Sequence, residues 1–296
     1  MSSLANLAYF CPDLRPAIAK TKMPQRETDP RKMLSKELLV GRIETGKRLA
    51  QVLVTMKDEV GAVASVNAQI SSLNVDIRQS MSYSLTQDSL AIYNAFVVFN
   101  DPRVSLVQLV DRLKESAFVV KVEAGEGRDG VIVDGISFPV NWQGRRTIIF
   151  SQIATARMFE AIRFILGSGG EVVLYQQGSS YGKELADSFM SRLGADYLKR
   201  NFDYTLGLLS ATGWGVPELV GAKDGFPNVT IALRSCLECD GLRAPRPACS
   251  FVRGFLAGVF SVIAGHIVHC EESRCTATGN HQCEFELRSG KGTISR

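Results

Sequence analysis

No apolar run in this chain reaches the ~18–20 residues that a membrane-crossing helix requires. The most apolar stretch, Phe251 to Val268, is broken by Arg253 and three glycines, so no membrane span is expected. The opening residues, MSSLANLAYFCPDLRP, carry no basic segment ahead of a long apolar core, and a secretory signal is not expected. A P-loop, a dinucleotide fingerprint and a helix-turn-helix are missing as well. Gly41 to Arg48 (GRIETGKR) comes near a P-loop but has the wrong spacing and no preceding strand. No nucleophile stands with a recognisable base, and no catalytic residue is assigned.

A marked excess of charge is also lacking. The net charge of +4 comes from 34 basic and 30 acidic residues, and nine of the basic and five of the acidic ones lie in residues 1–47, which leaves the remainder balanced. A nucleic-acid-binding surface is normally strongly basic, so direct nucleic-acid binding is not expected. Hydrophobic residues at 45% and charged ones at 22% are ordinary for a folded globular chain. A length of 296 residues leaves room for two domains. The seven cysteines are odd in number, crowd toward the C-terminus and have acidic neighbours. That usage fits metal binding in a reduced cytoplasm better than a disulfide framework.

Residues 1–47 are proline-rich and read as a basic arm, with one helix over Arg31 to Ile43 started by Asp29-Pro30. From 48 to 124 the pattern changes. Leu49–Lys57 reads as a strand, Ala62–Leu73 as a helix, Val75–Leu85 and Leu90–Phe99 as strands, Val104–Lys114 as a helix and Phe118–Val122 as a last strand. The order βαββαβ is the ferredoxin-like motif.

Through VLVTMKDEVGAVASVNAQISSLNVDI this part resembles the ACT domain family, with Asp58, Gly61, Asn74 and Asp76 in the matching places. The resemblance implies pairing between domains and, in many members, an amino acid at the interface. Val60 replaces the usual proline before the turn glycine, and Ala62 replaces a second glycine. A dimerising or coupling scaffold is therefore the expectation.

Residues 125–135, glycine-rich and charged, read as a linker. A mixed α+β domain over 136–290 follows, then a tail at 291–296. Its expected elements are strands at Ile136–Val140 and Arg146–Phe150, a helix at Ile153–Leu166 and a strand at Glu171–Tyr175. Gln176–Gly182 reads as a turn into a long helix to about Leu209. After a break at Gly213-Trp214-Gly215 come a hairpin of Val216–Ala222 with Asn228–Arg234, a helix from Pro247 to about His266, and two strands within Ile267–Leu287.

The chemistry lies at the C-terminal end. Glu272-x-x-Cys275 can place two metal ligands on one tight turn, Cys283 returns after the seven residues 276–282, and Cys249 opens a glycine-bearing helix. Zinc takes thiolate and carboxylate donors in a tetrahedral shell. Buried free cysteines, packing as small hydrophobes, are the alternative. Cys236-x-x-Cys239 adds either half of a second zinc site, a source of ligands competing with Cys249, or a redox pair; Cys270 with His266 or His269 is the other local donor set.

This region resembles the 4-vinyl-reductase domain, which also forms the sensory part of phenol-responsive activators. The resemblance rests on Cys249, Gly254 and Gly258, Glu272, Cys275, Gly279 and Cys283, with VVLYQQGSSYG upstream. It implies a zinc ion on Cys249, Glu272, Cys275 and Cys283, with all four positions filled and hence structural. An apolar ligand site is sought among Trp214, Phe251, Phe255, Tyr197 and Phe189. The leading expectation is a non-catalytic, homodimeric sensor of a small hydrophobic molecule, acting through an unidentified protein partner. Vinyl (tetrapyrrole) reduction, or a scaffold like the vesicle-tethering subunits of similar fold, are the alternatives.

Overall fold

The computed structural model describes residues 35–293, apart from 86, 87, 143, 224 and 240. They form two compact units, which divide between residues 148 and 149. The start expected for the helix over Arg31 to Ile43 lies outside the described residues, and its described end is a strand.

The first unit contains β1 (Gly41–Ile43), β2 (Leu49–Lys57), α1 (Ala62–Ser72), β3 (Val75–Leu85), β4 (Leu90–Phe99), α2 (Leu106–Lys114), β5 (Val119–Glu126), β6 (Val131–Val133), β7 (Asn141–Trp142) and β8 (Arg145–Arg146). Four of these strands form one antiparallel sheet in the order β3-β4-β2-β5, which is the ferredoxin-like arrangement. Alternate residues of β2 and β4, among them Val52, Val54, Ala95 and Val97, bury against Val66 and Ile70 of α1 and Leu109 and Leu113 of α2. A capping box starts α2: the Ser105 hydroxyl accepts from Gln108 N at 3.1 Å, and the Gln108 side chain accepts from Ser105 N at 2.7 Å.

The opposite face of β4 is apolar too, with Phe96 and Val98 fully buried beside Leu49. This explains why Leu90–Phe99 reads as a nearly unbroken hydrophobic run. Ile132 of β6 seals that second face, and β6 pairs antiparallel with β1. Residues 125–135 thus differ from the linker expected, because they carry the end of β5, a turn at Asp129-Gly130 and a short strand. The strands expected at Ile136–Val140 and Arg146–Phe150 shrink to the two-residue pairing of β7 with β8. Asp134 supplies a reason, since its carboxylate accepts from Ile136 N (3.1 Å) and Ser137 N (2.8 Å) and so captures donors a strand would need.

The second unit contains α3 (Gln152–Leu166), α4 (Ser168–Leu193), α5 (Ala195–Arg200), α6 (Phe202–Ala211), β9 (Val216–Ala222), β10 (Val229–Arg234), α7 (Ser250–Ala264), β11 (His266–Arg274) and β12 (Cys283–Thr293). The strands form an antiparallel sheet in the order β11-β12-β10-β9. Helix α7 lies on it, with Val252, Leu256 and Phe260 in one buried cluster with Ile231, Phe285 and Leu287 of the strands.

The largest departure from expectation is α4, an unbroken helix across a segment read as strand, turn and helix. Val172 and Val173, the β-branched pair that suggested a strand, sit on its accessible side. Gly178 and Gly182 do not make a turn. They face α7 so closely that an added Cβ would lie 2.0 Å from the Phe251 carbonyl oxygen and 2.3 Å from that of Phe255. The approach is reciprocal, because a Cβ on Gly254 would meet Tyr175 O at 2.0 Å and one on Gly258 would meet Ser179 O at 2.3 Å. Tertiary packing here outweighs the local preferences of valine and glycine. The long helix expected to reach Leu209 is divided at Gly194 (φ 79°) and Asn201 into α4, α5 and α6.

Gly182→Ala is expected to lower stability by about 2 kcal/mol or more, since backbone rather than a flexible side chain must yield. Gly169→Ala, in the same helix with nothing near its Cβ position, is expected to be neutral or to stabilise by up to about 1 kcal/mol. Paired urea denaturation curves check both, and equal effects would contradict the packing argument.

Candidate metal centre

Four elements converge at one end of the second unit. The loop after β10 brings Cys236 and Cys239, and Cys249 is the residue before α7. Glu272 stands near the end of β11, Cys275 directly follows that strand, and Cys283 begins β12. The 3-10 turn Thr276–Thr278, closed by Gly279 at φ 96°, carries the chain from Cys275 back toward Cys283. A register shift in the β11–β12 ladder falls between Glu272 and Arg274; such a bulge re-aims side chains beside a site.

The structure brings one donor atom each of Cys249, Glu272, Cys275 and Cys283 within 4.8 Å of one another. Cys249 Sγ lies 3.9 Å from Cys275 Sγ and 3.7 Å from Cys283 Sγ. A tetrahedral ion bound by thiolates at ~2.3 Å sets its sulfurs about 3.8 Å apart, so these spacings suit one. The three cysteines are buried and free. Glu272 Oε2 accepts from Cys249 N at 2.9 Å, while Oε1 is buried with no hydrogen-bond partner. An orphaned carboxylate oxygen next to three thiols fits a cation. Burial pushes the Glu272 carboxyl up to about 8. The Cys249 thiol is pushed up as well, first by its contact with Cys236, then by Cys239, Cys275, Cys283 and burial. The donor chemistry can therefore hold a thiophilic metal ion.

Cys236 and Cys239 do not join Cys270 or the histidines. Cys236 Sγ is 3.6 Å from Cys249 Sγ, and Cys239 Sγ is 3.2 Å from Cys283 Sγ. Cys270 lies in the interior pairing of β11 with β12, His269 is exposed on the same strand, and His281 is an exposed loop residue. Reading the chain by local spacing missed this meeting of loop and helix. The C-x-x-C pair was visible, but its partner was not.

Glu238, between the two cysteines, was also missed. Its side chain is fully buried, it accepts from Phe251 N (3.1 Å) and Val252 N (2.9 Å) at the start of α7, and Arg163 of α3 pairs with it. Arg163 donates further to the Ala248 carbonyl at 2.7 Å. Burial raises the Glu238 carboxyl to about 7 against the pull of these N–H groups and of Arg163. Two carboxylates thus gather at one helix N-terminus, where unpaired N–H groups favour negative charge.

Of the aromatic candidates, Trp214, Phe251 and Phe255 meet, with ring centroids 5.6 Å (Trp214–Phe251) and 4.8 Å (Trp214–Phe255) apart. Tyr181 of α4, not expected there, stacks on Trp214 at 5.4 Å, and Phe159 of α3 lies 4.9 Å from Phe251. Phe189 packs in a different cluster with Ala186, Leu198 and Ile263, and Tyr197 is exposed. Leu237 N donates to Trp214 O at 2.8 Å, tying the aromatic group to the loop of Cys236 and Cys239.

Comparison with known proteins agrees with the placement of the second unit. The vinyl-4-reductase domain family model matches residues 229–289. Uncharacterised protein MJ1642 of Methanocaldococcus jannaschii is 28% identical over 131 residues, which cover 44% of this chain and 71% of that protein. Among solved structures, the phenol-responsive sensory domain of the transcription activator PoxR with phenol is similar at 18% identity and TM-score 0.43, covering 50% of this chain and 79% of its own. The ACT domain from GTP pyrophosphokinase of Chlorobium tepidum is similar at 22% identity and TM-score 0.23, covering 26% of this chain and 97% of that domain. No helix among the described residues is long and apolar enough to cross a membrane.

Removing Glu238 leaves Arg163 and two helix N–H groups without their partner. Glu238→Ala is expected to cost about 3–5 kcal/mol, the scale of breaking a buried pair from one side. Arg163→Ala, which leaves the carboxyl its two N–H donors and free to protonate, is expected to cost less. Chemical denaturation of both variants ranks them, and the reverse order would contradict this assignment.

Proposed function

We propose that the second unit is a zinc-stabilised, non-catalytic sensor domain that binds a small apolar molecule. The observation that carries this reading is the buried quartet Cys249, Glu272, Cys275 and Cys283 with its orphaned carboxylate oxygen. Four protein donors leave no position for a reacting water, which is the mark of a structural rather than a catalytic site. When bound, zinc supplies a cross-link between the start of α7, the β11–β12 turn and the sheet. Cys249 and Cys283 hold the helix to the strand, and Glu272 also fixes the Cys249 backbone. The match of the vinyl-4-reductase domain family to residues 229–289 supports the same reading.

Trp214, Tyr181, Phe251 and Phe255 are the ligand-recognising group in this proposal. Aromatic faces grouped around one loop suit a small apolar ring. Output passes to a protein partner, and the ferredoxin-like unit serves as a dimerising or coupling scaffold. Accessible apolar residues on α3 and the start of α4, Phe164 at 90% and Ile153 at 71% exposure among them, support self-association into a homodimer.

Metal analysis of the purified full chain tests the site. Zinc is expected in the protein and is expected to fall, together with thermal stability, in Cys283→Ser; a metal-free, equally stable wild type would overturn the proposal. The ligand reading has its own check. In a Trp142→Phe background, leaving Trp214 as the fluorophore among the two tryptophans, titration with phenol is expected to give a saturable emission change that Phe255→Ala weakens at least about tenfold, a loss of about 1.4 kcal/mol. A non-saturating response unchanged by Phe255→Ala would count against recognition of a small aromatic ring.

A further inference from the structure

The cysteine cluster contains more donors than one ion can use. Beside the quartet already described, Cys236, Cys239, Cys249 and Cys283 form a second quartet whose sulfurs also lie within 4.8 Å of one another. The two quartets share two sulfurs, those of Cys249 and Cys283, which stand 3.7 Å apart. We propose that the cluster is binuclear: a second zinc ion on Cys236, Cys239, Cys249 and Cys283, with Cys249 and Cys283 bridging the two ions.

This inference rests on the zinc reading above for the shared ligands and adds a second site to it. Several independent features support it. The Cys-x-x-Cys spacing of Cys236 and Cys239 is the chelating knuckle that tetrahedral thiolate sites use. Both residues are buried, and neither is in a disulfide. A mononuclear site would leave two neutral thiols pressed against its ligand sulfurs, with Cys239 Sγ 3.2 Å from Cys283 Sγ and Cys236 Sγ 3.6 Å from Cys249 Sγ. Two edge-sharing tetrahedra give every one of the six donors a metal bond, with four terminal ligands and two bridges.

Charge points the same way. Four anionic donors around one dication leave an excess of two negative charges. Six donors around two dications leave the same excess while removing two more polar groups from an unpaired buried state. The outer shell is built for thiolates at the added half as well. Thr276 Oγ1 lies 2.9 Å from Cys239 Sγ and 3.6 Å from Cys283 Sγ, and Thr276 N donates to Cys283 Sγ at 3.5 Å. Donors of this kind hold and tune metal-bound sulfur. Cys270, buried in the same unit but outside both quartets, is the internal control.

The test is a metal count on the full chain, purified under reducing, oxygen-free conditions. Two zinc ions per chain are expected in the wild type and in Cys270→Ala, and half that content in Cys236→Ser/Cys239→Ser. Should the double variant misfold, cadmium NMR of the reloaded wild type decides alone. Two resonances are expected, one of a four-sulfur and one of a mixed sulfur–oxygen site, with scalar coupling between them through the bridging thiolates. One ion per chain with a single resonance, and a count unchanged in the double variant, would overturn the binuclear cluster and leave the single structural zinc standing. Absence of bound zinc, or iron with labile sulfide in its place, would overturn both.

Discussion

The second unit depends on how closely two helices can approach. Gly178 and Gly182 on α4 and Gly254 and Gly258 on α7 let backbone meet backbone where any side chain would intrude on a carbonyl oxygen. Once α7 is held at that distance, its apolar face of Val252, Leu256 and Phe260 settles on the sheet. The start of the helix then projects Cys249 over the turn between β11 and β12. A wider spacing would displace Cys249 from Cys283, which comes from the sheet and does not move with the helix. A packing constraint in the middle of the helix thus sets the geometry at its end.

Electrostatics completes that end. A helix N-terminus offers unpaired N–H groups, and here two buried carboxylates answer them in different ways. Glu238 engages its oxygens with Phe251 N, Val252 N and Arg163. Glu272 accepts from Cys249 N with one oxygen and keeps the other without a partner. Both are raised by burial, to about 7 and about 8. Only the second has a coordination position to give, and this separates a capping group from a candidate ligand although both lie beside cysteines.

Local patterns in the sequence carried the first unit almost whole. The alternation along Leu49–Lys57, the amphipathic helices and the double-sided apolar run Leu90–Phe99 each reflect contacts made within about 75 residues, and the ferredoxin-like order follows from them. The donors Cys249, Glu272, Cys275 and Cys283 were legible for a related reason, since three of them share one turn. Less legible were features decided by distant partners. Glycines at 178 and 182 look like turn residues until α7 is placed against them, and valines at 172 and 173 look like a strand. Ile132 reads as part of a loop until Phe96 and Val98 need cover. Tyr181 and Glu238 carry no local signature at all, because stacking on Trp214 and capping α7 are defined only by the folded arrangement.

One physical connection relates the aromatic group to the cysteine cluster. Phe251 and Phe255 occur one turn apart on α7, just beyond Cys249, so a ring inserted against them bears on the helix that delivers a cluster donor. Trp214 is tied through its carbonyl to Leu237 N, in the middle of the loop that carries Cys236, Glu238 and Cys239. A ligand that reorders Trp214 therefore works against both arms of the cluster. Coupling of this kind transmits only what the ligand gains in one arrangement over another. A cross-linked α7 favours a narrow set of arrangements, so the aromatic group is held ready rather than assembled on binding. In the proposed sensor, the metal site limits the movement that a ligand can cause to the loop around Trp214 and leaves the glycine-packed helices in place.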